Sequence, residues 1–91
     1  MMNNEFGSIV RSIAGHDYNK YYILIDSDEK FVFITDGKSR TVENPKKKNR
    51  RHIEFMSANM FSNLDKNHIK TQVTNEHIKR IIKEYRNQRN K

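Results

Sequence analysis

Residues 44–54 read NPKKKNRRHIE, and Lys46, Lys47, Lys48, Arg50, Arg51 and His52 crowd together behind the chain's single proline. Cations at that density recognise phosphate. A lysine supplies a compact point charge, whereas the planar guanidinium of Arg50 or Arg51 can also bind two oxygens at once or stack on a base. A second stretch, Gly15-His16-Asp17-Tyr18-Asn19-Lys20, places two rings able to stack on bases beside a cation. Gly15 suits a sharp turn or a close approach to a ligand because it has no β-carbon. Asn19 is among the few other residues that accept left-handed backbone. An ordinary solvated loop is the competing reading of both stretches, and a nuclear address is a further one for the first.

Other chemistries find little support. Cysteine is absent, which excludes disulfides, thiol catalysis and cysteine-based zinc sites. His16, His52, His68 and His77 show no close ligand spacing, so no metal is expected. Asp26, Asp28 and Glu29 lack the glycine and the distant closing glutamate of a calcium loop. Neither a phosphate-cradling glycine loop nor a nucleophile elbow occurs. The expectation is a binding protein, not an enzyme, that uses no cofactor.

Charge points to the class of partner. The 91 residues carry a net charge of +7, distributed unevenly: residues 1–37 hold three cations and six anions, residues 38–91 fifteen cations and five anions. A half with a net charge of +10 implies a polyanionic partner, since neutralising phosphates releases condensed counterions and drives binding without sequence recognition. The longest apolar run, Tyr21-Tyr22-Ile23-Leu24-Ile25, is far short of the roughly 20 residues of a membrane helix. The start, MMNNE, lacks the basic and apolar regions of a signal peptide. A cytoplasmic protein without membrane contact is therefore expected.

The elements that must position these residues read as short strands followed by a helix. Residues 8–14 alternate in part between apolar and polar and stop at Gly15; residues 20–25 are aromatic and β-branched; residues 31–35 follow and stop at Asp36-Gly37, a dipeptide suited to a tight hairpin. A fourth strand is expected over residues 39–42, ended by Asn44-Pro45, and a fifth over residues 51–55. Tyr21, Tyr22, Phe31 and Phe33 should divide between core and surface by strand alternation. The fold class implied is mainly β, a small SH3-like β-barrel of about five strands with a C-terminal α-helix, because closure removes exposed edges. Residues 6–55 would form the barrel and residues 56–73 a connector in which Met56, Met60, Phe61 and Leu64 could make a helical turn. Residues 74–87 would form the helix: Ile78, Ile81, Ile82 and Tyr85 share one face, with Thr74 as N-cap. Lys79, Arg80, Lys83 and Arg86 lie off that face and read as a solvated surface, and residues 87–91 should fray.

The stretch Gly7-Ser8-Ile9-Val10-Arg11-Ser12-Ile13-Ala14-Gly15-His16-Asp17-Tyr18-Asn19-Lys20, with its following apolar strand, resembles a KOW motif, found in ribosomal proteins and transcription elongation factors. With Thr35-Asp36-Gly37-Lys38-Ser39-Arg40-Thr41-Val42-Glu43-Asn44-Pro45-Lys46-Lys47-Lys48 added, the pattern is similar to small bacterial KOW-domain RNA-binding proteins related to an archaeal and eukaryotic large-subunit ribosomal protein. Gly15 matches the family's hallmark glycine and Lys20 its loop cation, while Asn19 stands where a second glycine is common. The resemblance implies an SH3-like barrel that binds structured RNA, ribosomal RNA or a ribosome-associated particle. Residues expected at the RNA are Arg11, Gly15, His16, Tyr18, Asn19, Lys20, Lys38, Arg40, Lys46, Lys47, Lys48, Arg50 and Arg51. The alternative is a protein-interaction module whose barrel or helix docks on ribosomal proteins or RNA polymerase.

Overall fold

A computed structural model describes residues 6–57 and 73–89. The strands are β1 (Ile9–Ser12), β2 (Tyr21–Ser27), β3 (Phe31–Thr35), β4 (Lys46–Asn49) and β5 (Ile53–Ser57), followed by the helix α1 (Asn75–Arg89). They form one antiparallel sheet in the order β4-β3-β2-β1-β5. Its two outer strands are joined only by the 3₁₀ turn Arg50–His52. Flat, four interstrand steps of about 4.8 Å would separate those strands by roughly 19 Å. The short link reaches no more than about 14 Å at roughly 3.5 Å per residue. The sheet must curl, and the fold is a small SH3-like β-barrel with a C-terminal helix.

Alternation along β2 explains the longest apolar run. Tyr22 and Leu24 point into the barrel with Val10, Val32, Ile34 and Ile53. Ile23 and Ile25 point the other way, onto Ile9, Val42, Ile78 and Ile82. A strand covered on both faces needs apolar residues at every position. The helix stripe is thereby buried within the chain: Ile78 and Ile82 lie in the core, Ile81 and Tyr85 pack against it, and the Tyr85 ring meets Tyr21 edge-on at 5.7 Å. Tyr22 is the fully interior aromatic of its group, whereas Tyr21, Phe31 and Phe33 are half-buried. Thr74 caps α1, its hydroxyl accepting from His77 N at 3.1 Å.

Several sequence expectations are corrected. Residues 39–42 do not form a strand, and Asp36-Gly37 is not a two-residue hairpin; the fourth strand is Lys46–Asn49, beginning after Pro45. Side chains take up the backbone groups that a ladder would use. Asp36 Oδ1 accepts from Lys38 N and Arg40 N, both at 2.9 Å, and Thr35 Oγ1 donates to Arg40 O. Asn75 of the helix accepts from Val42 N at 2.8 Å and donates to Glu43 Oε1 at 3.1 Å, pinning the β3–β4 connection to α1. The fifth strand also starts later than expected, at Ile53, because residues 50–52 form the 3₁₀ turn. Met56 falls within β5, and α1 extends to Arg89, past the expected start of fraying. Met60, Phe61, Leu64 and His68 lie outside the described residues, as do residues 90 and 91.

Gly37 packs closely against the helix. Its φ is +74°, and a β-carbon there would sit 2.3 Å from the Asn75 carbonyl oxygen. At Gly15, φ is +84° but the nearest atom to a β-carbon would be Lys48 Nζ at 3.7 Å, so backbone conformation is the sole demand there. Gly37→Ala is therefore expected to destabilise by more than about 2 kcal/mol and Gly15→Ala by about 1–2 kcal/mol. Thermal melts of the two variants check this; equal losses would contradict the packing role of Gly37.

Candidate nucleic-acid interface

The loop between β1 and β2 is built by its own backbone. Asn19 N donates to Ser12 O at 2.7 Å, Tyr18 N to Gly15 O at 3.2 Å, and Lys20 N to Asp17 O at 3.0 Å. Gly15 at φ +84° and Asn19 at φ +73° both adopt left-handed backbone, as their residue types foreshadow. This winding turns Asp17 inward, where it is 7 % exposed.

Asp17 ties the loop to the basic strand. Its Oδ1 accepts from Ser12 Oγ at 2.7 Å and Lys48 Nζ at 2.8 Å; its Oδ2 accepts from the Tyr22 hydroxyl at 3.2 Å and lies 3.4 Å from Lys46 Nζ. Lys48 also donates to Ala14 O at 2.9 Å. Burial by itself would raise the Asp17 pKa, but hydrogen bonds from Lys48 and Ser12 and the charges of Lys48 and Lys46 outweigh it. Together they hold the carboxyl well below the usual carboxylate range. Burial first, then the Asp17 charge and hydrogen bond, push the Tyr22 hydroxyl up to about 12. Asp17 thus stays ionised and Tyr22 protonated, a stable pairing of acceptor and donor.

Of the basic run, then, Lys46 and Lys48 serve the fold. Strand alternation explains the division, since Lys47 faces the other way and its ammonium lies 4.3 Å from the centre of the Phe31 ring. Arg50 donates from its side chain to Asp28 O and from its backbone to Lys30 O. Arg51 and His52 are exposed, and Arg51 has no side-chain partner among the described residues. At the loop, Arg11 binds Glu54 Oε1 at 2.5 Å and Asn19 Oδ1 at 3.1 Å, with its guanidinium 5.9 Å from the Tyr18 ring. Tyr18 is 60 % exposed, and His16 is also exposed. Arg40 is half-buried on the β3–β4 connection, its carbonyl closing the turn.

Lys20 and Lys38 both line an open groove of about 690 Å³ between the barrel and α1. Lys79, Lys83 and Arg86 line its helix side. Asp36 is the one carboxylate lining it among the described residues, and its Oδ1 is occupied by the two backbone N–H groups of the turn. Lys79 pairs with Glu76 at 2.9 Å; Lys20, Lys38, Lys83 and Arg86 have no side-chain partner among the described residues. Residues 14–20 and 46–51 therefore do adjoin, but the cations left available are in large part elsewhere.

Sequence reasoning gave Asp17 no role beyond its charge and read the helix cations as a solvated face. A carboxylate amid residues suited to phosphate was the available sign of the first. For the second, positions 79, 83 and 86 follow i, i+4, i+7, a single stripe of the helix. No family model matches the chain, and no curated protein matches it.

Proposed function

We propose that the protein binds structured RNA, ribosomal RNA or a ribosome-associated particle, through its phosphate backbone. The observation that carries this reading is that Lys20 and Lys38, distant in sequence, line one groove without ionic partners among the described residues. Unpaired cations lining one groove create a positive potential that a phosphate can neutralise. Exposed Tyr18 and His16 next to this loop add faces on which unpaired bases can stack. The KOW-like pattern of residues 7–20 supports the same reading. Recognition is directed by charge and shape, with phosphates setting position and few contacts reading sequence.

Docking of the apolar helix stripe on a protein partner is less favoured, because Ile78 and Ile82 are buried against the barrel. In-cell crosslinking followed by sequencing of attached RNA tests the proposal. Enrichment of ribosomal RNA is expected; absence of any enriched RNA would overturn it.

A further inference from the structure

Resting on that RNA-binding reading, we infer that the groove between α1 and the barrel holds a single-stranded segment of the bound RNA, with Lys83 and Arg86 as phosphate ligands opposite Lys20 and Lys38. Cations stand on both walls, an arrangement that suits a linear polyanion lying between them better than a flat surface passing over them. On the helix wall, Lys79, Lys83 and Arg86 are spread over seven residue steps. At 1.5 Å per residue they make a charged row about 10 Å long. On the barrel wall, Lys20 and Lys38 come from segments that the β1–β2 loop and the Asn75 clamp hold in place.

Volume and lining suit a single strand. Pockets of about 300–1,000 Å³ hold one drug-sized molecule, and the groove, about 690 Å³, has room for one or two nucleotides of a strand. Tyr21, half-buried, and Ile82, buried, contribute apolar surface between the charged rows, against which a ribose or base face can lie. Positive walls with an apolar lining are the combination that tracks single strands without reading their sequence.

The test compares a labelled oligouridylate about eight nucleotides long with an RNA hairpin, in the full-length protein and in Lys83→Glu/Arg86→Glu. Both side chains are exposed and outside the core. Unchanged helical circular dichroism should confirm that the variant folds. Loss of two phosphate contacts should weaken oligouridylate binding by about 10- to 100-fold at ~0.05 M salt. Hairpin binding should stay within about threefold, since the loop's contacts remain. Lys83→Gln/Arg86→Gln should give a smaller loss in the same direction. Unchanged oligouridylate affinity in either variant would overturn the inference. If the wild type binds the hairpin but not the oligouridylate, the groove assignment fails alone; if it binds neither, the RNA-binding reading fails as well. Equally tight binding of poly-L-glutamate would assign the groove to an acidic polypeptide and also overturn the inference.

Discussion

Asp17→Asn is expected to lower the melting temperature by at least about 10 °C, since removing one partner of a buried ion pair costs about 3–5 kcal/mol and a domain of this size loses about 4–8 °C per kcal/mol. Lys48 carries most of this effect. Its side chain is 9 % exposed and loses its counter-charge, while Lys46 at 29 % can turn toward water. Asparagine retains an acceptor for Ser12 or Tyr22, so the charge is the main thing removed. Lys48→Met in the Asp17→Asn background should recover part of the loss, because the stranded cation is then gone. A melting temperature within about 2 °C of the wild type would contradict the role given to Asp17.

The same ion pair sets an acid limit. Because the Asp17 pKa is depressed in the folded protein, its contribution is fully present above the unfolded value of about 3.9. That contribution is lost as pH falls through the folded value. Chemical denaturation between neutral pH and strong acid should therefore show the wild type and Asp17→Asn converging as the pH drops below about 4. A constant difference between them would mean that ionisation of Asp17 is not what stabilises the loop.

Lys20→Glu/Lys38→Glu/Arg51→Glu should weaken RNA binding by about 10²–10³-fold at ~0.05 M salt, with each lost phosphate contact reducing the salt slope by roughly 0.7–0.9. Its melting temperature should change little. These side chains have no ionic partner among the described residues, so the fold does not depend on their charge. Lys46→Met/Lys48→Met should behave in the opposite way, losing stability ahead of affinity, because those amines are engaged by Asp17. The contrast separates binding cations from structural ones. Comparable loss of RNA affinity by the two variants, at temperatures where both are folded, would contradict that separation.

Much of the barrel is visible in the sequence because β1, β2 and β3 are locally consistent. Apolar and β-branched residues fill them, and turn residues bound them. The helix is equally legible, since its 3.6-residue apolar period and its Thr74 cap agree. The fourth strand is not, for an instructive reason. Lys46–Asn49 has almost no apolar character, and it holds its place by ladder pairing with β3 and by a carboxylate reached from another loop. Neither pairing partner is adjacent in sequence. Residues 39–42 look more like a strand than Lys46–Asn49 does, but their backbone is captured by Asp36, Thr35 and Asn75.

A similar limit applies to the site. Residue types identify which groups can bind phosphate, and Lys20 lies in a loop singled out for its cation and rings, Gly15 and Asn19 in the same loop for their backbone freedom. Types do not say which charges cancel within the fold. NPKKKNRRHIE is one cationic tract when read linearly, yet strand alternation sends Lys46 and Lys48 to Asp17 and Lys47 to the Phe31 ring. The cations of α1 show the reverse case: an unremarkable helix surface becomes one wall of a basic groove once the helix docks.

The central claim, that unpaired cations hold RNA by its phosphates, is tested most directly by the affinity of the wild-type protein for a ribosomal RNA fragment measured across salt concentration. About four to six neutralised phosphates, at roughly 0.7–0.9 each, predict a log–log slope between about −3 and −5. A slope near zero, or no binding at low salt, would contradict the account.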